Sequence, residues 1–152
     1  AIALLVKTIV TKLKTSPFEA SHASYVNSLM ECQLAKNCRL NDYDILVIIT
    51  AGVENPGVPL LVKAELLKIA AQYAVSQAND WAYAKILLEE AVKIHDSVST
   101  RIVFSQILRN RGELDLAEEQ IEMAQKLNNS RVYKTAIANE KEKLATARIN
   151  QN

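Results

Sequence analysis

Glycine and proline are scarce in this sequence, with three residues of each among 152. Both residues disfavour helix interiors, whereas the chain is rich in Ala, Leu, Ile, Lys, Glu and Gln, which favour helix. Three glycines are also too few to build a loop that cradles a phosphate group, so a nucleotide-binding loop of that kind is excluded. The composition predicts an all-α protein.

The chain also lacks an excess of charge of one sign. Eighteen basic and seventeen acidic side chains give a formal net charge of +1, and the two signs are interspersed along the chain. Proteins that bind nucleic acid usually carry a strongly basic face, so no nucleic-acid partner is expected. No apolar run reaches the roughly 18 residues that a membrane span needs, so direct insertion of this segment into a membrane is not expected.

The length of 152 residues fits one domain of ordinary size, which can bury a core without disulfides or metals. We therefore expect a single helical domain over residues 1–152. The chain begins AIALLV, with neither an initiator methionine nor the basic start of a signal peptide. This beginning suggests a processed protein or a fragment of a longer one.

Hydrophobic spacing and capping motifs predict about eight helices. A capping box at residues 16–19, SPFE, has proline at the first helical position, where its missing N–H costs nothing. The segment ILVIIT at 45–50 could form a strand, but no partner strand with alternating polarity is found elsewhere, so helix is preferred. The predicted helices are 2–13, 17–35, 42–51, 60–77, 81–94, 99–111, 113–127 and 131–148.

Short polar motifs set the boundaries of the later helices. The segment ENPGVP at 54–59 is the one break that is rich in proline and glycine. Asn79-Asp80 opens the helix predicted at 81–94. Gly112 separates the sixth helix from the seventh. We expect Ser130 to cap the last helix and the tail INQN, residues 149–152, to fray.

An internal repeat emerges when the chain is shifted by 33 places, which aligns WAYAKILLEEAVKIHDS (81–97) with LDLAEEQIEMAQKLNNS (114–130). The matched small residues are Ala84 with Ala117 and Ala91 with Ala124. A period of this length with paired helices resembles the tetratricopeptide repeat. In that family, small residues lie where two helices cross closely. The resemblance implies that these four alanines are buried at helix crossings.

The resemblance covers about residues 63 to 130. It implies that Gly112 permits the tight turn between the helices of the second repeat, in a conformation with positive φ. Two features depart from the family pattern. Arg101 stands where the family usually has Trp or Leu, and Asp96 and Asn129 replace the terminal proline.

The fold that this resemblance implies is a right-handed helical-repeat, TPR-like array. Two repeats at 59–130 would be too few to bury their apolar faces alone. The three helices within 1–58 would therefore form an N-terminal helical cap, and residues 131–152 would supply a C-terminal capping helix and the frayed tail.

The family's concave surface is lined by the first helix of each repeat. In the second repeat this places the candidate partner-binding residues on one helix: Ile102, Gln106, Arg109 and Asn110. The corresponding positions in the first repeat are apolar, and we expect the N-terminal helices to cover them. They are Ala64, Leu67, Ala71, Ala74 and Val75.

A second resemblance concerns the first third of the chain. Cys32 and Cys38, with CRLND, are followed by a short helix, by ENP at 54–56 and by the repeat pair. This order of motifs is similar to that in the C-terminal soluble region of certain bacterial membrane proteins. These are the O-antigen ligases and polymerases, including oligosaccharyltransferases of protein O-glycosylation. Such proteins carry their chemistry in a membrane domain that faces the periplasm and end in helical, repeat-like periplasmic segments. The resemblance implies the periplasmic face of a bacterial inner membrane.

An oxidising compartment of that kind would allow a disulfide between Cys32 and Cys38, which would join a helix end to the following loop. Two buried free thiols are the alternative, and both thiols would be reduced in a cytosolic protein. A metal site is not expected, because the cysteines lack CxxC spacing and only His22 and His95 could join them.

No catalytic constellation is evident. His22 and Cys32 are ten residues apart, about 15 Å along a helix and well beyond hydrogen-bond reach. The adjacent glutamates at 89–90 and 118–119 point to different helix faces, so neither pair forms an acid–base site.

The sequence therefore predicts a non-catalytic domain, without cofactor or metal, that binds another polypeptide or the membrane domain of its own parent protein. Its expected setting is the extracytoplasmic C-terminal accessory domain of an O-antigen ligase, polymerase or O-oligosaccharyltransferase-type protein. The alternative is a free-standing cytoplasmic adaptor, and a small helical enzyme is a third class.

Overall fold

The computed structural model describes residues 49, 53–54 and 56–151. They form five main helices: α1 (Leu60–Ala78), α2 (Trp81–Ile94), α3 (Val98–Asn110), α4 (Leu114–Leu127) and α5 (Lys134–Gln151). The described part of the chain contains no strand, so the prediction of an all-α fold is confirmed.

The five helices match five of the predicted helices to within three residues at each end. The predicted helices 2–13 and 17–35 lie outside the described residues, as does all of 42–51 except Ile49, which is helical. Val53 and Glu54 are also helical, and they lie beyond Ala51, where the sequence predicts that a helix ends.

The chain divides into two compact units, residues 1–95 and 96–152. The first unit contains α1 and α2, and the second contains α3, α4 and α5. A single domain over 1–152 and the right-handed repeat array stay predictions.

In the first unit, α1 and α2 pack against each other as a helical hairpin. The turn between them depends on Asn79, whose φ of 50° and ψ of 34° are left-handed. This geometry lets the N–H groups of Asn79 and Asp80 donate to the carbonyls of Val75 and Ala74, at 3.2 and 2.9 Å. Asp80 then caps α2, because its Oδ1 accepts the backbone N–H of Tyr83 at 3.0 Å.

The helix α1 is buried on more than one face. Nine of its nineteen residues are buried, and they cover more than half of the helix circumference: Val62, Ala64, Leu66, Leu67, Ile69, Ala70, Ala71, Tyr73 and Ala74. A helix that is apolar around most of its circumference is a core helix rather than a surface helix. Among the described residues of the first unit, α1 therefore supplies most of the core.

In the second unit, α3 and α4 form another hairpin. Ser97 caps α3, since its Oγ accepts the N–H of Thr100 at 3.2 Å. At the other end, Gly112 has a φ of 80°, which confirms the predicted positive φ. The turn is closed by the N–H of Glu113, which donates to the carbonyl of Leu108 at 3.0 Å.

The helix α5 packs against both α4 and α3. It begins at Lys134 rather than at Arg131, so the prediction that Ser130 caps it is wrong. The backbone N–H of Ser130 instead donates to Oδ1 of Asn128 at 3.4 Å, and the turn at residues 131–133 separates Ser130 from the first residue of the helix.

The predicted fraying is also wrong for residues 149–151, because α5 remains helical through Gln151, whereas Asn152 lies outside the described residues. The side-chain Nε2 of Gln151 donates to the carbonyl oxygen of Gly112 at 3.2 Å. This bond ties the end of α5 to the turn between α3 and α4, which is a contact that no local sequence pattern reveals.

Candidate functional site

All four residues predicted to line a concave binding surface lie on α3, but their environments differ. The side chain of Ile102 is buried, so it offers little surface to a partner. Gln106 and Arg109 are half-buried, and Asn110 is exposed. Nη1 of Arg109 donates to Oδ1 of Asn110 at 3.2 Å, which brings these two candidates together.

The Arg109 guanidinium is held in place by a carboxylate from α5. Its Nε donates to Oε1 of Glu140 at 2.8 Å, and its Nη2 donates to Oε2 at 3.3 Å. Glu140 is only 1% exposed, and its Oε1 also accepts the hydroxyl of Ser105 at 3.3 Å. The paired geometry fixes the plane of the guanidinium as well as its position.

Sequence reasoning missed Glu140. A signal was present, because Glu140 lies three residues after Ile137 and four before Leu144, at the spacing of one helix face. An acidic residue within an apolar stripe must find a cation or become neutral when the helix docks. The spacing therefore indicates a buried ion pair, but it does not name the partner.

Arg109 also lies at the edge of a groove on the second unit, with a volume of about 470 Å³. Apart from Arg109, all of its described lining comes from α5: Asn139, Glu142, Lys143, Thr146, Ala147 and Asn150. Asn139, Lys143, Thr146 and Asn150 are spaced four, three and four residues apart, which places them on one helix face. The polar stripe is about 16 Å long.

The alanines that carry the repeat resemblance are fully buried. Ala84, Ala91, Ala117 and Ala124 are each 0% exposed, which confirms the prediction that they are buried. In each hairpin, the two alanines are seven residues apart and therefore lie on one face of the second helix. A methyl group at these points allows the two helices of a hairpin to approach closely.

Two of the three residues that depart from the tetratricopeptide pattern, Arg101 and Asp96, interact with each other. Nε and Nη2 of Arg101 donate to the two carboxylate oxygens of Asp96, both at 2.8 Å. Nη1 of Arg101 donates to Oε1 of Gln120 on α4 at 2.7 Å. Arg101 therefore links the entry to α3 with α4 by polar contacts, at a position where the family has an apolar side chain.

A third arginine joins α5 to the start of α4. Nη2 of Arg148 donates to Oδ1 of Asp115 at 2.8 Å and also contacts Oε2 of Glu118. The hydrogen bond to Asp115, followed by that to Glu118, raises the pKa of the Arg148 guanidinium. These two contacts therefore favour the charged form of a side chain that is already charged at neutral pH.

The first unit contains a cavity of about 390 Å³ beside the turn between α1 and α2. Two of the apolar positions predicted to be covered, Leu67 and Ala74, line it, together with the helical residues Ile49 and Val53. The other described lining residues are Glu54, Ala70, Tyr73, Gln77, Ala78, Asp80, Tyr83 and Leu87.

The described residues contain no group of three or more His, Cys, Asp or Glu side chains that could hold a metal ion. Cys32 and Cys38, the disulfide candidates, and His22 lie outside the described part of the chain. Within that part, none of the helices has the length and apolar character to cross a membrane.

Comparison with known proteins gave no relative. No protein-family model, no curated protein and no solved structure matches this chain.

Proposed function

We propose that this chain is a TPR-like binding domain that holds another polypeptide, or a segment of its own parent protein, without catalysing a reaction. The groove beside Arg109 carries the proposal. Its polar stripe on α5 adjoins Arg109, and Arg109 is hydrogen-bonded to Asn110. The repeat resemblance places both Arg109 and Asn110 on a binding surface.

The chemistry of the groove favours an extended polypeptide. Asn139 and Asn150 each carry an amide donor and an amide acceptor, which match the N–H and C=O groups of a peptide unit. An extended segment has unpaired groups of both kinds along its length. A stripe of about 16 Å would accommodate about five residues of an extended chain.

A helical partner fits this groove less well. A docked helix buries an apolar stripe in an apolar groove, because its own backbone groups are already paired. Of the described lining, only Ala147 has an apolar side chain without a polar end. Hydrogen bonds to the partner's main chain would therefore provide most of the recognition.

Selection from a library of random peptides tests this proposal. Peptides that bind the 152-residue chain should lose at least about tenfold in affinity for Asn139→Ala and for Asn150→Ala, about 1.4 kcal/mol each. Asn129→Ala is the matched control, because Asn129 is also exposed but lies outside the groove. Peptides that bind both groove variants as well as the parent, or that become helical on binding, would reject the proposal.

We further propose that the chain acts at the periplasmic face of a bacterial inner membrane, as an accessory domain of an O-antigen ligase, polymerase or O-oligosaccharyltransferase-type protein. The support is the resemblance carried by Cys32, Cys38 and ENP at 54–56. A free-standing cytoplasmic adaptor would have both thiols reduced.

The redox state of the two cysteines separates these settings. In the periplasm, we expect an intramolecular disulfide between Cys32 and Cys38 that contributes roughly 2 kcal/mol, at the low end because the closed loop is short. Thiol labelling of the unfolded, unreduced protein from its natural compartment should find no reactive thiol, and two after reduction. Two reactive thiols before reduction would remove the disulfide and favour the cytoplasmic adaptor.

A further inference from the structure

The cavity in the first unit has the features of a small-ligand site, and the proposed peptide groove in the second unit does not use it. Its volume of about 390 Å³ lies within the range of about 300–1,000 Å³ that is usual for such sites. Leu67, Ala70 and Leu87 contribute apolar lining, and a few polar side chains lie among them. This is the composition of a pocket that binds an apolar body and orients one polar group.

The charged side chains among the described lining residues are all negative. Glu54 and Asp80 contribute carboxylates, and no Lys, Arg or His is present among the described lining residues. Tyr73 and Tyr83 contribute aromatic rings, whose faces attract ammonium groups. Tyr83 is 50% exposed, so its ring is accessible from solvent.

The backbone at the cavity does not oppose this selection. Ala78, at the C-terminus of α1, and Asp80, at the N-cap of α2, both line the cavity. The first helix end carries partial negative charge and the second carries partial positive charge, so their effects on a bound ion largely cancel. Among the described groups at the cavity, the carboxylates of Glu54 and Asp80 therefore carry the net charge, and it is negative.

We propose that this cavity binds a small amphiphile that carries an ammonium group. Its apolar body lies against Leu67, Ala70 and Leu87, and its ammonium group lies beside Asp80 and the ring of Tyr83. A volume of about 390 Å³ can hold the whole of a small molecule, so we take the ligand to be free, and a lysine side chain of a partner protein is the alternative occupant that the test below examines.

Hexyltrimethylammonium is a suitable probe, and the fluorescence of Trp81 is a suitable signal, because Trp81 is the single tryptophan and directly follows Asp80. The 152-residue chain should bind this cation saturably. Hexanol, which has the same apolar chain without the charge, should bind about tenfold more weakly. Hexanesulfonate, which carries a negative charge, should show no saturable binding.

Asp80→Asn isolates the role of charge, because asparagine caps helices as well as aspartate does. This variant should bind hexyltrimethylammonium about tenfold more weakly and hexanol unchanged. Ala74→Leu fills part of the cavity with a larger side chain and should lower the affinity for both ligands. Asp115→Asn, which removes an exposed carboxylate from the second unit, is the control and should change the affinity for neither ligand.

Three results would overturn the proposal. Hexanesulfonate could bind as tightly as the cation, or Asp80→Asn could weaken hexanol and the cation equally. A lysine that is acetylated on its α-nitrogen and methylamidated at its carboxyl group keeps its side-chain ammonium group and resembles a lysine within a polypeptide. If it bound more tightly than hexyltrimethylammonium, a lysine of a partner protein would be identified as the occupant. If Ala74→Leu failed to fold, as judged by circular dichroism, the comparison between Asp80→Asn and Asp115→Asn would still decide.

Discussion

The hairpins α1–α2 and α3–α4 bury alanines at equivalent positions, but the charges around them are arranged differently. In the described part of the first unit, the ion pairs Glu65–Lys68 and Lys85–Glu89 each lie within one helix. In the second unit, ion pairs join α3 to α5 and α4 to α5. The alanine register is thus shared, whereas the ion pairs that join two helices among the described residues lie in the second unit.

The comparison also shows why α5 needs these charges. Only three of its eighteen residues are buried, and one of them is Glu140. The helix α1, by contrast, buries nine apolar or aromatic side chains. Burial of apolar area can hold α1 in place, but Ile137 and Leu144 alone provide little such area for α5.

Removal of Arg109 should have the largest effect on stability. Arg109→Ala leaves the Glu140 carboxylate buried without its cation, so we expect a loss of about 3–5 kcal/mol in the free energy of unfolding, measured by urea denaturation. The first-unit counterpart, Lys85→Ala, breaks an exposed pair within one helix and should cost about 0.5 kcal/mol or less. The control Arg131→Ala removes an exposed arginine and should be similarly mild. Equal small losses in all three would contradict the distinction between the units.

Enlargement of the buried alanines tests the shared register. Ala117→Leu in the second hairpin and Ala84→Leu in the first should each overpack a helix crossing and lower stability by about 1–3 kcal/mol. Ala82→Leu is the matched control, because Ala82 is exposed on α2. If thermal denaturation gave the same Tm for Ala117→Leu as for the parent, the assignment of equivalent repeats would fail.

The two turns offer a smaller test, because each uses one left-handed residue. Gly112→Ala should cost about 1 kcal/mol at a φ of 80°. The added Cβ would lie 3.6 Å from Nε2 of Gln151, an ordinary contact, so the cost is in the backbone rather than in a clash. Gly112→Asn should cost less, since asparagine tolerates this region, and Asn79→Ala should cost about as much as Gly112→Ala. A harmless Gly112→Ala would show that the turn does not need glycine.

The smallest expected effect is that of salt on the end of α5. Arg148 and its partners Asp115 and Glu118 are substantially exposed, so about 1 M salt, with a Debye length of about 3 Å, should weaken their attraction. Hydrogen exchange over residues 145–151 should then accelerate, while exchange in α2 stays constant. The double variant Asp115→Asn, Glu118→Gln should show fast exchange already at low salt. Salt-insensitive exchange in the parent would mean that apolar contacts hold this end of the helix.

Local patterns in the sequence were sufficient for much of the fold. Apolar spacing and polar caps act over a few residues, so the bounds of the five described helices could be predicted to within three residues. Asp80 caps α2, as the prediction that Asn79-Asp80 opens this helix implied. The repeat added the buried alanines, because small residues lie where two helices cross closely, and the glycine at 112 indicated the positive φ, because glycine has no Cβ to clash.

Features that depend on distant residues were not predictable in this way. Arg109 and Glu140 are 31 residues apart, and no local pattern pairs them. The contact between Gln151 and the carbonyl of Gly112 keeps the tail helical although its own sequence suggests fraying. The cavity likewise depends on how Ile49 and Val53 lie beside α1, which is a matter of tertiary packing.

The wide sequence separation of the contacts made by α5 has a consequence for the order of folding. Those with α3 and its turn join residues from 31 positions apart, in Arg109 and Glu140, to 39 positions apart, in Gly112 and Gln151, whereas Arg101 and Gln120 of the α3–α4 hairpin are 19 positions apart. Closing such loops is slower than zipping a local hairpin, so α3 and α4 should pair before α5 docks. Contacts that form after the transition state slow unfolding without speeding folding. The lost stability of Arg109→Ala should therefore appear as faster unfolding, with the folding rate nearly unchanged.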